Sequence, residues 1–165
     1  MRNLVLCVVV AGALAGGGLW GWRALSASPE KAIRQRLGEL ARTASYGPKE
    51  GGVARMLDCD KLAGFFAEDV EVKLEVGNVF ENLSGRENVR EAAMSARMAV
   101  GSLKVEFHDM NIAVGADRQS AEVDLTATGK IPGEQDLEVC ELKFLLKQIG
   151  GQWMIRRVET VRTLR

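Results

Sequence analysis

From residue 102 onward the chain is four long segments in which apolar and polar residues alternate, and this constrains its fold more than any other feature. "SLKVEFHDMNIAV" (102–114), "QSAEVDLTATGKI" (119–131), "DLEVCELKFLLKQI" (136–149) and "QWMIRRVETVRTL" (152–164) are separated only by "GADR", "PGEQ" and "GG". A period of two is the signature of a strand with one buried face, and joints this short admit hairpins but no crossover. An antiparallel meander follows. In the third segment Cys140, Leu142, Phe144 and Leu146 share one face while Glu141, Lys143 and Lys147 point the other way, so the sheet has one core side.

The first half of the chain supplies helices. "SASPEKAIRQRLGELARTAS" reads as an amphipathic helix with Ser28 as N-cap and Pro29 at the first helical position; Ile33, Leu37, Leu40 and Ala44 share a face. Lys31, Arg34, Arg36 and Arg42 fall largely elsewhere, as a solvated face or, beside a bilayer, as contacts for anionic headgroups. "YGPKEGG" (46–52) breaks the helix, and a second runs from about Val53 with Met56, Leu57, Leu62, Phe65 and Phe66 as core positions and an interruption near Asp58 to Asp60. At Asp69 the period switches to two, with Val70, Val72, Leu74 and Val76 inward and Glu71, Lys73 and Glu75 outward. A third helix opens at "LSGRENVREA", where Ser84 and Glu87 have the spacing of a capping box, and Val89, Ala92, Ala93, Ala96 and Ala99 form a small-residue face.

Ahead of all this lies "LVLCVVVAGALAGGGLWGW" (4–22), uncharged and bracketed by Arg2 and Arg23. As a helix it reaches about 28 Å, the hydrocarbon thickness of a bilayer, with Trp20 and Trp22 at an interface. A cleaved signal is the competing reading, with "ALSAS" (24–28) as its cleavage site, although the apolar core of such a signal is usually shorter, about 7 to 15 residues. A lipoprotein signal does not fit, because Cys7 stands near the start of the apolar run and not after it. The expected division is a membrane anchor or signal segment at 1–25 and one domain at 26–165, outside the cytoplasm, periplasmic or extracytoplasmic, and secreted if the segment is cleaved.

Lys plus Arg and Asp plus Glu number 22 each, and without Arg2 and Arg23 the remainder has a net charge of −2, which argues against a nucleic-acid partner. No Cys/His ligand spacing, phosphate loop or nucleophile elbow is present, so neither metal nor cofactor is expected. Cys59 and Cys140 read as buried thiols, with a disulfide the alternative in an oxidising compartment. Glu68 and Asp69 read as a polar joint between helix and strand.

"LAGFFAEDVEVKLE", "LSGRENVREA" and the closing "GGQWMI", in this order between residues 30 and 164, resemble the nuclear transport factor 2-like superfamily, also called the SnoaL-like or cystatin-like α+β cone. The resemblance implies three helices packed on a curved antiparallel sheet, a conical apolar pocket and a homodimer through the outer sheet face. Pocket-lining positions would be Phe65, Phe66, Cys140, Phe144, Trp153, Ile155 and Arg157. Trp153, Ile155, Arg157 and Glu159 alternate along the last strand, so Arg157 either meets a ligand's carboxylate in the cone or joins Glu159 in a surface network. Such folds host isomerases, dehydratases and cyclases as well as proteins without catalysis, so fold does not decide function. His108 and Tyr46 are the catalytic candidates; His108 shares a face with Glu106 and Met110 unless a bulge turns it toward the cone, and Tyr46 closes the first helix. Neither belongs to a recognisable acid–base set. The expected function is a non-catalytic, membrane-anchored binding or assembly module with an apolar conical pocket for a small apolar ligand; the alternative is a small-molecule isomerase or lyase of dehydratase or cyclase type, and a third possibility is a single-span scaffold in a secretion-type assembly.

Overall fold

A computed structural model describes residues 28–48, 51–76, 79–133 and 137–161. The apolar run at 4–22, and with it the choice between anchor and cleaved signal, lies outside the described residues; among these no helix is long and apolar enough to cross a membrane. Helix α1, Pro29–Ala44, starts as expected: the Ser28 hydroxyl accepts from the Lys31 amide at 3.3 Å, and Pro29 occupies the first turn, where no amide donor is missed. Its buried stripe is Ile33, Leu37, Leu40 and Ala41.

Helix α2, Gly52–Ala63, runs without the interruption expected near Asp58. It buries Cys59 and Ala63, whereas Met56 and Leu57 are 48% and 59% exposed, contrary to their expected place in the core. Spacing alone could not tell which side of a short helix with little amphipathic contrast would meet the rest of the protein. Phe65 and Phe66 are core residues but not helical, because strand β1, Phe66–Val76, begins three residues earlier than Asp69. Strand β2, Val79–Ser84, was not foreseen and pairs antiparallel with β1. Ser84 therefore ends a strand. The residue before helix α3, Arg86–Ala99, is Gly85 at φ 90°, and Glu87 binds Arg90 at 2.6 Å instead of closing a capping box. The alanine face of α3 is only partly covered, with Ala96 and Ala99 exposed and Arg97 buried in their stead.

The meander is present as β3 (Lys104–Val114), β4 (Ser120–Lys130), β5 (Leu137–Ile149) and β6 (Gln152–Thr160). All six strands form one sheet in the order β2-β1-β6-β5-β4-β3, with β1 beside β6 in parallel, so the sheet is mixed and not wholly antiparallel. The pairing joins the first strand to the last, which no hairpin can do, and the intervening elements make the crossover. Bulges break the register between Phe66 and Glu71, between His108 and Asn111, and in β6 where Ile155 and Arg157 face Leu146 and Leu145. Each adds twist and bend to its strand, giving a concave face on which the core lies.

Helix α1 runs antiparallel to the edge strand β3. Arg34 donates to the Met110 carbonyl at 3.2 Å, and the Ser45 hydroxyl accepts from the Val105 amide at 2.9 Å. Eleven helical residues and five strand residues each span about 16 Å, which is why both ends meet in register.

Candidate functional site

Strand register arranges the concave face in rows, and burial changes from row to row. Nearest the start of α1, Ala121, Leu146, Ile155 and Phe66 are all buried. The next row, Val123, Phe144, Val158 and Val72, is buried too, with Ile112 and Leu83 at its edges. One step further, Leu125 is buried but Leu142, Thr160 and Leu74 are half-exposed. Beyond them Phe107, Ala127 and Cys140 are half-exposed as well. The cone is packed solid at one end and has an apolar, partly open mouth at the other.

Several expected pocket residues thus form the plug. Phe65, Phe66, Phe144, Trp153 and Ile155 belong to the buried core cluster with Ile33, Leu37 and Leu40 of α1. Phe144 meets Phe107 edge-to-face at 5.9 Å between centroids, so the plug grades into the mouth through an aromatic pair. Of the expected lining residues only Cys140 stands at the mouth, where its thiol lies 3.9 Å from the Thr160 hydroxyl, which in turn accepts from the Glu75 amide at 2.9 Å. Neither Cys59 nor Cys140 is in a disulfide. Acids on this face, Glu81 and Glu138, are exposed at its rim.

Arg157 does not line the cone. The bulge in β6 inserts one residue, so Val158 takes the inward position that plain alternation assigns to Arg157, and Arg157 turns to the outer face. There it donates to Glu71 at 2.7 Å, while Arg156 pairs with Asp69. Glu71 and Asp69 are accordingly the counterions of two successive arginines, and with Lys147, Ser120 and Leu145 these four line a shallow cleft of about 350 Å³. Glu159 faces Lys143 across the strands, and Lys143 reaches Glu122 at 2.6 Å and Asp124 at 3.7 Å. The hydrogen bond that Lys143 donates to Glu122 is the main reason that its ammonium titrates above the ordinary lysine range. This outer face is largely a lattice of charges.

His108 lies on the same outer face, its ring nitrogen 3.2 Å from the Thr128 hydroxyl. The β3 bulge sends Met110 inward and leaves His108 with Glu106, so the bulge acts opposite to the sense in which it was to bring the imidazole into the cone. His108 nonetheless borders a cleft of about 440 Å³ between α1 and β3, whose walls include Gly38, Ala41, Val105, Phe107 and Met110. Phe107 is common to this cleft and to the mouth. Tyr46 stands elsewhere. Its hydroxyl donates to the Ala96 carbonyl at 3.2 Å, and its ring carries the Arg97 guanidinium at 4.6 Å. Arg97, 4% exposed, also donates to the Thr43 carbonyl at 2.6 Å and approaches Asp58 to 4.0 Å, tying α1, α2 and α3 together. Arg36 plays a similar part over the Phe65 ring at 4.2 Å, where burial lowers its pKa.

Half-buried positions such as Phe107, Ala127 and Thr160 carry the mouth, and their individual residue types gave no signal for this. Only the register of six strands assembles them. Among the described residues no group of His, Cys, Asp and Glu is placed to hold a metal ion.

The chain matches solved structures over most of its length. The chain has the nuclear transport factor 2-like, cystatin-like fold. A candidate scytalone dehydratase from Novosphingobium aromaticivorans is similar over 82% of this chain and 84% of that one, at 16% identity and a TM-score of 0.58. A protein of unknown function with a cystatin-like fold from Nostoc punctiforme covers 82% of this chain and 92% of its own length, at 14% identity and a TM-score of 0.58. An ntf2-like protein with a cystatin-like fold, also from N. aromaticivorans, reaches 19% identity with a TM-score of 0.55 over 77% and 79% of the two chains. Identities this low speak to the nuclear transport factor 2-like fold and not to chemistry. No family model matches the chain, and no curated protein matches it.

Proposed function

We propose that this protein is a membrane-anchored binding module that holds a small apolar molecule at the mouth of the cone. The observation that carries the reading is the graded burial of the concave face: a packed plug, then an apolar floor of Leu74, Phe107, Ala127 and Leu142 left partly open. Apolar walls with few polar groups are what a binding pocket for such a ligand requires. The placement of the candidate groups supports a non-catalytic reading, since the Tyr46 hydroxyl is engaged with a helix carbonyl and His108 points to the outer face. The anchor in this reading is the uncharged stretch 4–22, with the domain outside the cytoplasm.

A homodimer through the outer sheet face belongs to the same proposal. Phe80, Leu137 and Val139 are exposed at the distal end of that face and supply the apolar anchors, beside the ion pairs at its centre.

The test is titration of the full chain in nanodiscs with the neutral fluorophore N-phenyl-1-naphthylamine. Saturable binding that Ala127→Phe abolishes, with His108→Ala unaffected, is the expected result. If binding is not saturable, or is indifferent to a bulky group at position 127, the mouth is not a ligand site. The second reading, an isomerase or lyase, is favoured by one observation, the position of His108 beside the 440 Å³ cleft that includes Phe107. It would require His108→Ala to remove turnover while leaving probe binding intact.

A further inference from the structure

We infer that the closed end of the cone is a docking surface for the anionic headgroups of the bilayer, so that the mouth opens away from the membrane. This rests on the anchored reading above and concerns how the domain sits on that membrane. Six residues, Arg23 to Ser28, separate Trp22 from the start of α1, a reach of at most about 21 Å. The end of the domain that carries Pro29 is therefore held near the lipid surface.

Which end this is follows from the contacts of α1. Arg34, in its second turn, meets Met110, while Ser45 at its far end meets Val105. The first turn thus lies toward Val114 and the β3–β4 turn at Gly115 to Gln119. That turn is joined to β5 by the bond from the Gln148 amide to the Gln119 carbonyl at 2.7 Å, so the β5–β6 turn at Gly150 and Gly151 stands at the same end. The fully buried row of the cone, Ala121, Leu146 and Ile155, is the row nearest to it. The mouth residues Phe107, Ala127 and Cys140 lie at the other end.

Exposed bases gather at the closed end: Lys31 and Arg34 on α1, Arg118 in the β3–β4 turn and Lys147 on β5. Four acids accompany them: Glu30, Asp117, and, beside Lys147, Asp69 and Glu71, which are paired with Arg156 and Arg157; the Asp117 carboxylate is turned into its own loop, accepting from the Gln119 and Ser120 amides at 3.0 Å each. The excess is positive. Ile149, 47% exposed in the same region, is an apolar contact at headgroup depth. The sheet has the opposite character at its mouth end. Among the described residues at that end Lys104 is paired with Glu106, and Glu81 and Glu138 outnumber Lys130, with Arg42 and Arg55 on the helices the nearest bases. An anionic surface attracts the first end and repels the acidic strand ends of the other, with basic residues near a surface each shifting the equilibrium about fivefold. A ligand then reaches the mouth from the aqueous phase.

To test this, the full chain is placed in vesicles of phosphatidylcholine alone or with about one-third phosphatidylglycerol. Cys7 and Cys140 are replaced by serine, Cys59 being fully buried, and a fluorophore is attached at Ala116→Cys near the closed end or at Pro132→Cys near the mouth. Quenching by headgroup-labelled lipid should appear at position 116 only, in the anionic vesicles, and the docked fraction relative to the undocked should fall about fivefold with each of Lys31→Gln, Arg34→Gln, Arg118→Gln and Lys147→Gln. Vesicle flotation without quenching that depends on phosphatidylglycerol overturns the docking and leaves the anchor standing. Failure to float with either lipid overturns both. Protection of position 116 that follows protein density and not lipid charge assigns the basic end to a second copy and overturns the inference.

Discussion

Phe144 and Leu142 sit two residues apart on one strand, project to the same face, and should respond very differently to truncation. Phe144 is 3% exposed, lies between Val123 and Val158, and meets the Phe107 ring edge-to-face. Phe144→Ala removes a fully packed ring and leaves a cavity in the plug, which costs about 3–5 kcal/mol, the aromatic pair accounting for about 1 kcal/mol of it. Leu142 is already half in water, and a truncation there opens to solvent without a sealed void. Deleting its methyl groups at half burial costs about 1 kcal/mol. Urea unfolding of the full chain in nanodiscs, followed by far-ultraviolet circular dichroism, separates the two: at about 2 kcal/mol per molar the midpoints should drop by about 2 M and about 0.5 M. Probe binding adds a second contrast, since Leu142→Ala alters the mouth itself and Phe144→Ala acts only through stability. Equal midpoint shifts would refute the division of the cone into plug and mouth.

Arg97→Ala should destabilise the domain by about 3 kcal/mol, because the Thr43 carbonyl loses its donor and Asp58 its counterion; Arg97→Lys should recover only part of this, lacking the planar group that rests on Tyr46, as thermal unfolding would show. Arg157→Ala should change stability by no more than about 1 kcal/mol, with an effect that shrinks in salt, and should leave probe binding unaltered, because its pair with Glu71 is on the outer face. Acid should loosen the β3–β4 turn before the sheet. Amide bonds from Gln119 and Ser120 lower the Asp117 pKa, so their contribution is full above the ordinary aspartate range and is lost as the pH falls through the depressed folded value; the Gln119 and Ser120 amide resonances should move over that window, and Asp117→Asn should remove the transition.

The four strands of the meander, the N-cap at Ser28 and the inward set Val70, Val72 and Leu74 were legible because each is a local matter of periodicity, turn length and capping. The family resemblance was legible in "GGQWMI" and "LSGRENVREA", and the fold agrees with it. Misreadings arose where a tertiary choice overrode a local one. Ser84 and Glu87 have capping-box spacing, yet pairing of β2 with β1 claims Ser84 for a strand. Met56 and Leu57 are apolar at helical spacing, yet α2 turns Cys59 and Ala63 inward.

By itself the sequence determined that this chain folds as an α+β domain with a one-sided sheet, because alternation and helical spacing are properties of neighbouring residues. Only the tertiary structure decided that β1 lies parallel to β6, that Arg157 leaves the cone for Glu71, and that Phe107, Ala127 and Leu142 form a mouth. A single inserted residue in a strand reverses the face of everything beyond it, and its position is settled by long-range pairing that no local pattern contains.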